Sequence, residues 1–130
     1  MTRAKILVVD DNLDNRTIIG DALEASGFDV CQAVDGLEAL EAAAREKPAL
    51  ILLDLSIPKL DGWEVARRLK NDPALSHITI FAFTAHAMPG DDQKARAAGC
   101  DDYVSKPCVP REVIDKIRLS LEGKERMPHA

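Results

Sequence analysis

Five short apolar runs recur along the chain, and segments with helical spacing separate them. The most uniform run is Leu50–Asp54, in which four large apolar residues stop at a carboxylate. An uninterrupted apolar run of this length is typical of a strand that is covered on both faces, as in a parallel sheet. The pattern predicts strands at 5–10, 28–33, Leu50–Asp54, 78–84 and Asp102–Ser105. The second strand is more polar than the others, which favours a place near the sheet edge.

Between the strands, apolar residues recur every three or four positions, as they do on one face of an α-helix. This spacing predicts helices at 13–26, 37–46, 63–71, 89–98 and 110–121. Asn12 is suited to cap the first helix, and Gly27 is suited to end it.

Four of the five helices offer an apolar face of substantial side chains. The residues expected to face inward are Ile18, Ile19, Ala22 and Leu23 in the first helix, Leu37, Leu40 and Ala44 in the second, Val65, Ala66 and Leu69 in the third, and Val113, Ile114, Ile117 and Leu121 in the last. The helix at 89–98 offers only alanines among its inward positions, so we expect it to bury little area and to be weakly anchored.

Strands and helices therefore alternate as five βα units. Right-handed crossovers turn such a chain into a doubly wound α/β fold with one five-stranded parallel sheet. The expected strand order is 2-1-3-4-5, which makes strands one and three neighbours at the switch point. We expect one domain over residues 1–122, followed by a flexible polar tail over 123–130.

Composition narrows the class of protein. The chain has 130 residues and a net charge of -5 without a long basic run, which gives no electrostatic footprint for nucleic acid or an anionic membrane surface. Its first apolar run is too short for a signal peptide or a membrane span. The three cysteines, Cys31, Cys100 and Cys108, lack metal-type spacing. We interpret them as reduced thiols of a cytoplasmic protein.

Polar residues stand where four of the predicted strands end. They are Asp10 and Asp11 at the end of the first strand, Asp54 in the third, Thr84 in the fourth and Lys106 after the fifth. Taken singly, each has an ordinary structural explanation, as a helix-start residue, a turn residue or a solvated lysine. Because the carboxyl ends of parallel strands share one edge of the sheet, their joint position predicts a functional site there.

Three carboxylates at one edge repel one another unless a positive charge compensates them. Mg²⁺ suits such a site, because it takes hard oxygen ligands, needs few protein contacts and often shares a phosphate. A carboxylate can also act as a nucleophile that accepts a phosphoryl group. Lys106 and Thr84 would then offset the charge of the acyl phosphate, so the edge predicts metal-assisted phosphoryl transfer to Asp54.

At these residues the sequence resembles the receiver domain of bacterial two-component response regulators. Four segments carry the resemblance, namely Ile6-Leu7-Val8-Val9-Asp10-Asp11-Asn12, Leu52-Leu53-Asp54-Leu55-Ser56-Ile57-Pro58-Lys59-Leu60-Asp61-Gly62, Phe83-Thr84-Ala85-His86-Ala87-Met88 and Gly99-Cys100-Asp101-Asp102-Tyr103-Val104-Ser105-Lys106-Pro107. The resemblance covers about 5–120 and implies a flavodoxin-like, CheY-like three-layer sandwich.

The resemblance also implies a role for each residue of the site. Asp54 would be the phosphoacceptor, and Thr84 and Lys106 would bind the phosphoryl oxygens. Mg²⁺ would be held by Asp11, Asp54 and the Ser56 carbonyl, with Asp10 acting through water. Tyr103 falls at the family's aromatic switch position, and the bond between Lys106 and Pro107 would be cis.

The implied function is that of a stand-alone regulator of the CheY or DivK kind. It would take phosphate from a sensor histidine kinase or a histidine phosphotransfer protein and signal by docking to a downstream protein. It would not act as an enzyme beyond slow self-dephosphorylation, and it would not bind nucleic acid or a membrane directly. A phosphorelay intermediate that passes phosphate to another histidine, or a detached receiver of a hybrid kinase, would have the same sequence features.

Two other classes of protein fit less well. A flavodoxin-like FMN binder would need a hydroxyl- or glycine-rich phosphate loop after the first strand, where this chain has Asp10-Asp11-Asn12-Leu13-Asp14. A haloacid-dehalogenase-type phosphatase would need a second aspartate two residues after the nucleophile, where this chain has Ser56.

Overall fold

The computed structural model describes residues 4–55, 62–84, 89–105 and 110–126, with the backbone alone at residues 84, 105 and 122–126. Strands and helices alternate in it as the apolar pattern predicts. The strands are β1 Lys5–Val9, β2 Asp29–Ala33, β3 Leu50–Asp54, β4 Thr79–Thr84 and β5 Asp102–Ser105. The helices are α1 Leu13–Ala25, α2 Gly36–Glu46, α3 Gly62–Asn71, α4 Asp91–Ala97 and α5 Pro110–Arg126.

The five strands form one parallel sheet in the order β2-β1-β3-β4-β5. This confirms the predicted topology. β1 and β3 are central neighbours, with Val9 in register with Leu53. The ends of these two strands therefore lie side by side, which decides where the carboxylates after them can meet.

Alternate residues of the strands bury their side chains on opposite faces of the sheet. One face packs on α1 and α5 through Ile6, Val8, Leu50, Leu52, Phe81 and Phe83. The other packs on α2, α3 and α4 through Leu7, Val9, Ile51, Leu53, Ile80 and Ala82. The result is the expected three-layer sandwich. We call the second set of buried contacts the α2–α4 core.

The prediction of which α2 residues face inward was wrong. Leu37 is 49% exposed and Ala44 is exposed, while Leu40 is only partly buried. The helix instead buries small residues, Gly36, Ala39, Ala42 and Ala43. The prediction relied on the spacing of the leucines. The positions of α2 that face the sheet are instead occupied by small residues, whose side chains allow close approach of helix and strand.

A similar correction applies to α1. Ile19 and Leu23 are buried, but Ile18 is 56% exposed. At about 100° per residue, Ile18 lies about 140° around the helix from Leu23, outside the face that Ile19 and Leu23 bury. In α3 and α5 the predicted inward residues are buried, except that Leu121 is only partly so.

Two helix ends also differ from the prediction. α4 is shorter than expected, Asp91–Ala97, and buries Ala95, while Ala98 just after it is also buried and Ala97 is exposed. α5 continues to Arg126, into the segment predicted to be a flexible tail. Gly123 costs an interior helix only about 1 kcal/mol relative to alanine, which is too little to end a helix. The division of the chain at residues 122 and 123 stays a prediction.

Candidate functional site

Three aspartates meet at the carboxyl edge of the sheet. Asp10 directly follows β1, Asp11 is the next residue, and Asp54 is the last residue of β3. One carboxylate oxygen from each lies within 4.8 Å of the others. Asp10 and Asp54 are buried, at 3% and 6% exposure, whereas Asp11 is exposed. The sequence prediction that these three side chains converge is borne out by this geometry.

The turn between β1 and α1 holds the Asp10 carboxylate and places Asp11 beside it. Asp10 Oδ1 accepts a hydrogen bond of 2.9 Å from the backbone N–H of Asn12. Asn12 Oδ1 in turn accepts one of 3.0 Å from the N–H of Asn15, so Asn12 is the N-cap of α1, as predicted. One short turn therefore ends the strand, starts the helix and places the acidic pair.

The donor set of this edge fits a small divalent cation. Three carboxylates crowded into one space need compensation by positive charge, and oxygen-only ligands suit Mg²⁺ or Ca²⁺. Because the three carboxylates lie within 4.8 Å of one another, one such ion could be bound among them.

The start of α3 lies directly against the end of β3. The N–H of Gly62 donates to the carbonyl of Leu55 at 3.3 Å. A Cβ atom at Gly62 would come within 2.5 Å of Leu55 Cα and 2.8 Å of the Asp54 carbonyl oxygen, closer than real Cβ atoms approach. Glycine therefore lets α3 approach the backbone that carries Asp54. The apolar pattern, which starts the helix at residue 63, gives no sign of this close approach.

The remaining predicted site residues are distributed as follows. The backbone of Thr84 ends β4 one residue after Phe83, which is paired with Asp54, and Thr84 is itself paired with Ser105. Position 84 thus lies at the same edge of the sheet as the three aspartates. Ser56, Lys106 and Pro107 lie outside the described residues, so their roles and the cis bond stay predictions.

Tyr103 lies in the edge strand β5, in register with Ala82, and its ring packs against the α2–α4 core. Its hydroxyl is buried and has no hydrogen-bond partner among the residues that the structure describes. Burial raises the pKa of this hydroxyl, and the charges of Asp91 and Asp92 at the start of α4 raise it further. The tyrosine hydroxyl therefore lies within electrostatic range of the first turn of α4.

Comparison with known proteins identifies the family. The model of the response regulator receiver domain matches residues 6–118. The chain belongs to the response regulator receiver domain family. This receiver domain is 44% identical over 116 residues to the polar-differentiation response regulator DivK of Brucella anthropi, covering 89% of this chain and 94% of that protein. It is also 44% identical over 121 residues to DivK of Brucella ovis, covering 93% and 98%.

Solved structures agree with this receiver fold. The chemotaxis response regulator CheY4 of Vibrio cholerae has a TM-score of 0.85 at 27% identity, covering 91% of this chain and 98% of that one. A CheY-like receiver domain protein of Methanospirillum hungatei JF-1 has a TM-score of 0.90 at 26% identity, covering 96% and 98%.

Family membership confirms the resemblance that the sequence motifs indicated. It places the chain in two-component phosphoacceptor signalling, in which receiver domains interact with kinases or phosphotransfer proteins and are signalling domains rather than enzymes. Receiver domains typically bind Mg²⁺ at an acidic cluster, and Asp10, Asp11 and Asp54 form such a cluster here. Across the described part of the chain, no helix is both long enough and apolar enough to span a bilayer.

Proposed function

We propose that Asp54 accepts a phosphoryl group from the phosphohistidine of a sensor kinase or phosphotransfer protein. The observation that carries this proposal is the convergence of Asp54 with Asp10 and Asp11 at the carboxyl edge of the sheet. Asp54 ends a fully buried strand, in which Leu53 pairs with β1 and Asp54 itself pairs with Phe83 of β4. A nucleophile fixed in this way is positioned for an in-line reaction.

The transfer exchanges one bond to phosphorus for another. An Asp54 carboxylate oxygen forms a bond to phosphorus while the phosphorus–nitrogen bond of the donor histidine breaks. The electron pair of the broken bond stays on the imidazole nitrogen, and Asp54 becomes an acyl phosphate. Asp11, Asp54 and the Ser56 carbonyl would hold Mg²⁺, with Asp10 acting through water. When bound, Mg²⁺ supplies positive charge to the carboxylates and the phosphoryl oxygens.

The product carries more negative charge than the carboxylate that it replaces, so further donors are needed at the site. Thr84 and Lys106 are proposed to bind the phosphoryl oxygens through a hydroxyl and an ammonium group. The position of Thr84 supports this, because its backbone follows Phe83, the partner of Asp54 in the sheet.

We further propose that a downstream protein docks on the face formed by α4, β5 and α5. Across this face, Asp102 lies 4.0 Å from Arg96 of α4 and 3.7 Å from Lys116 of α5. Ion pairs as exposed as these contribute little stability. α4 also begins at Gly90 without a side-chain cap. The contacts between the three elements can therefore rearrange at low cost when the phosphoryl site changes.

The experiment compares the wild type with Asp54→Asn and a control, Asp14→Asn. Asp14 is an exposed carboxylate in the first turn of α1, so its loss removes the same charge near the site. Each protein is incubated with acetyl phosphate, with and without Mg²⁺, and its intact mass is measured. The wild type and Asp14→Asn should gain one phosphoryl group only with Mg²⁺, and Asp54→Asn should gain none. Equal phosphorylation of all three proteins, or no dependence on Mg²⁺, would contradict the proposal.

A further inference from the structure

The side chain of Arg16 joins the acidic turn to the edge strand β2. Its Nη1 donates a hydrogen bond of 2.7 Å to the backbone carbonyl of Asp10, and its Nε donates one of 3.1 Å to Gln32 Oε1. The planar guanidinium can make both bonds at once because its donors have a fixed geometry. Arg16 is partly buried in the first part of α1, which limits the conformations open to it.

The backbone of Gln32 is held by the sheet, while its side chain is exposed. It lies in β2 opposite Val8 of β1, directly before Ala33, whose carbonyl accepts a hydrogen bond of 3.1 Å from the N–H of Asp10. Its Nε2 would lie 3.4 Å from a Cβ atom placed on Gly20, one turn after Arg16 in α1. The amide side chain therefore lies beside α1, where its oxygen accepts the hydrogen bond from the guanidinium.

Three groups of Asp10 have partners in the described structure, and each partner belongs to a different element. The N–H donates to Ala33 of β2, Oδ1 accepts from the N–H of Asn12 in the turn, and the carbonyl accepts from Arg16 of α1. The carbonyl belongs to the peptide group that joins Asp10 to Asp11. Arg16 therefore binds the peptide group that leads directly into Asp11, and so restrains its orientation.

We propose that Arg16 is a positioning residue for the metal-binding turn, acting through the Asp10 carbonyl and oriented by Gln32. The inference rests on the proposed function for the metal, and it adds residues outside the acidic cluster. The positive charge of Arg16 would by itself weaken metal binding, because a cation beside the site repels the metal. That repulsion is weak in water and is screened by salt. We infer that positioning outweighs it, since partners that orient metal ligands typically contribute about 10-fold or more in metal affinity.

Mg²⁺ titration of four proteins separates the two effects. Arg16→Met removes the charge and both hydrogen bonds, whereas Gln32→Met removes the acceptor and leaves the charge. Arg118→Met is the matched control, because Arg118 of α5 donates to the Ser26 carbonyl at 2.7 Å and carries the same charge away from the acidic turn. Arg16→Met should weaken Mg²⁺ binding about tenfold. Gln32→Met should weaken it less but in the same direction, and Arg118→Met should bind like the wild type.

A second readout does not depend on the metal. The N–H of Asn12 donates to Asp10 Oδ1, so its hydrogen exchange reports the order of the turn. Without Mg²⁺, this N–H should exchange faster in Arg16→Met than in the wild type or in Arg118→Met. Tighter Mg²⁺ binding by Arg16→Met, or unchanged Asn12 exchange, would overturn the inference. A wild type that binds no Mg²⁺ would contradict the proposed function, and Asn12 exchange would still decide whether Arg16 holds the turn.

Discussion

The ammonium group of Lys94 lies 4.6 Å from the centroid of the Trp63 ring. This cation–π contact joins α4 to the first turn of α3, and Trp63 also packs against the α2–α4 core. Because α4 buries only alanines, the contact is one of few side-chain attachments that the described structure gives this helix.

The Lys94–Trp63 contact should therefore contribute measurably to stability. In a double-mutant cycle of Lys94→Gln and Trp63→Leu, the coupling free energy of unfolding should be about 0.5–1 kcal/mol, as for exposed cation–π pairs. Lys94→Arg should retain most of it, because it keeps a cation. Urea unfolding measures all four corners of the cycle. A coupling energy within error of zero would show that the two side chains are neighbours without a favourable interaction.

The close approach of α3 to Asp54 predicts the effect of a methyl group at position 62. Gly62→Ala should lower the free energy of unfolding by about 1–3 kcal/mol, because the new Cβ would overlap backbone atoms that cannot rotate away. Gly20→Ala is the control, since a Cβ there makes only ordinary contacts and gains up to about 1 kcal/mol of helix propensity. If Gly62→Ala were as stable as Gly20→Ala in chemical denaturation, α3 would not be packed as tightly on β3 as described.

We expect a change at the phosphoryl site to reach the face formed by α4, β5 and α5 through Thr84 and Tyr103, and hydrogen exchange can test this. Beryllofluoride, a phosphoryl mimic, should change amide exchange in residues 89–105 of the wild type, because the Thr84 hydroxyl would bind the mimic and shift α4 and Tyr103. Thr84→Ala should still bind beryllofluoride but show a much smaller change. Thr17→Ala, an exposed threonine of α1, should respond like the wild type. A full response in Thr84→Ala would place the switch elsewhere.

Burial of a thiol predicts a pH dependence of stability. Desolvation raises the pKa of Cys100 from 9.0 to about 11, with a further contribution from the charge of Asp101. The unfolded thiol therefore ionises first as the pH rises, which favours unfolding. This contribution to stability is complete below pH 9 and is lost between pH 9 and about 11. In Cys100→Ala, denaturant unfolding should show a shallower loss of stability over that range. An identical slope in both proteins would show that other groups cause it.

The sequence was sufficient to predict the sheet and the acidic cluster, and particular residues explain why. Uniform apolar runs such as Leu50–Asp54 leave little choice of structure, and parallel strands put Asp10, Asp11 and Asp54 at one edge. The exposure of Leu37 could not be predicted in the same way, because it depends on how closely a helix approaches the sheet.

Contacts to the backbone also could not be predicted from the sequence. The bond from Arg16 to the Asp10 carbonyl has no sequence signature, because every residue carries a carbonyl. The role of Gly62 depends on a distance between backbones. The only sign of this role in the sequence is that Gly62 follows Asp61 and directly precedes a predicted helix.

The central claim is that Asp54, among the three clustered aspartates, carries the phosphoryl group. The most direct measurement is to phosphorylate the wild type, reduce the acyl phosphate with borohydride, and locate the resulting homoserine by peptide mass spectrometry. We expect homoserine at position 54, and none in protein that was not phosphorylated. Homoserine at position 10 or 11, or a stable phosphoryl group on a histidine, would contradict it.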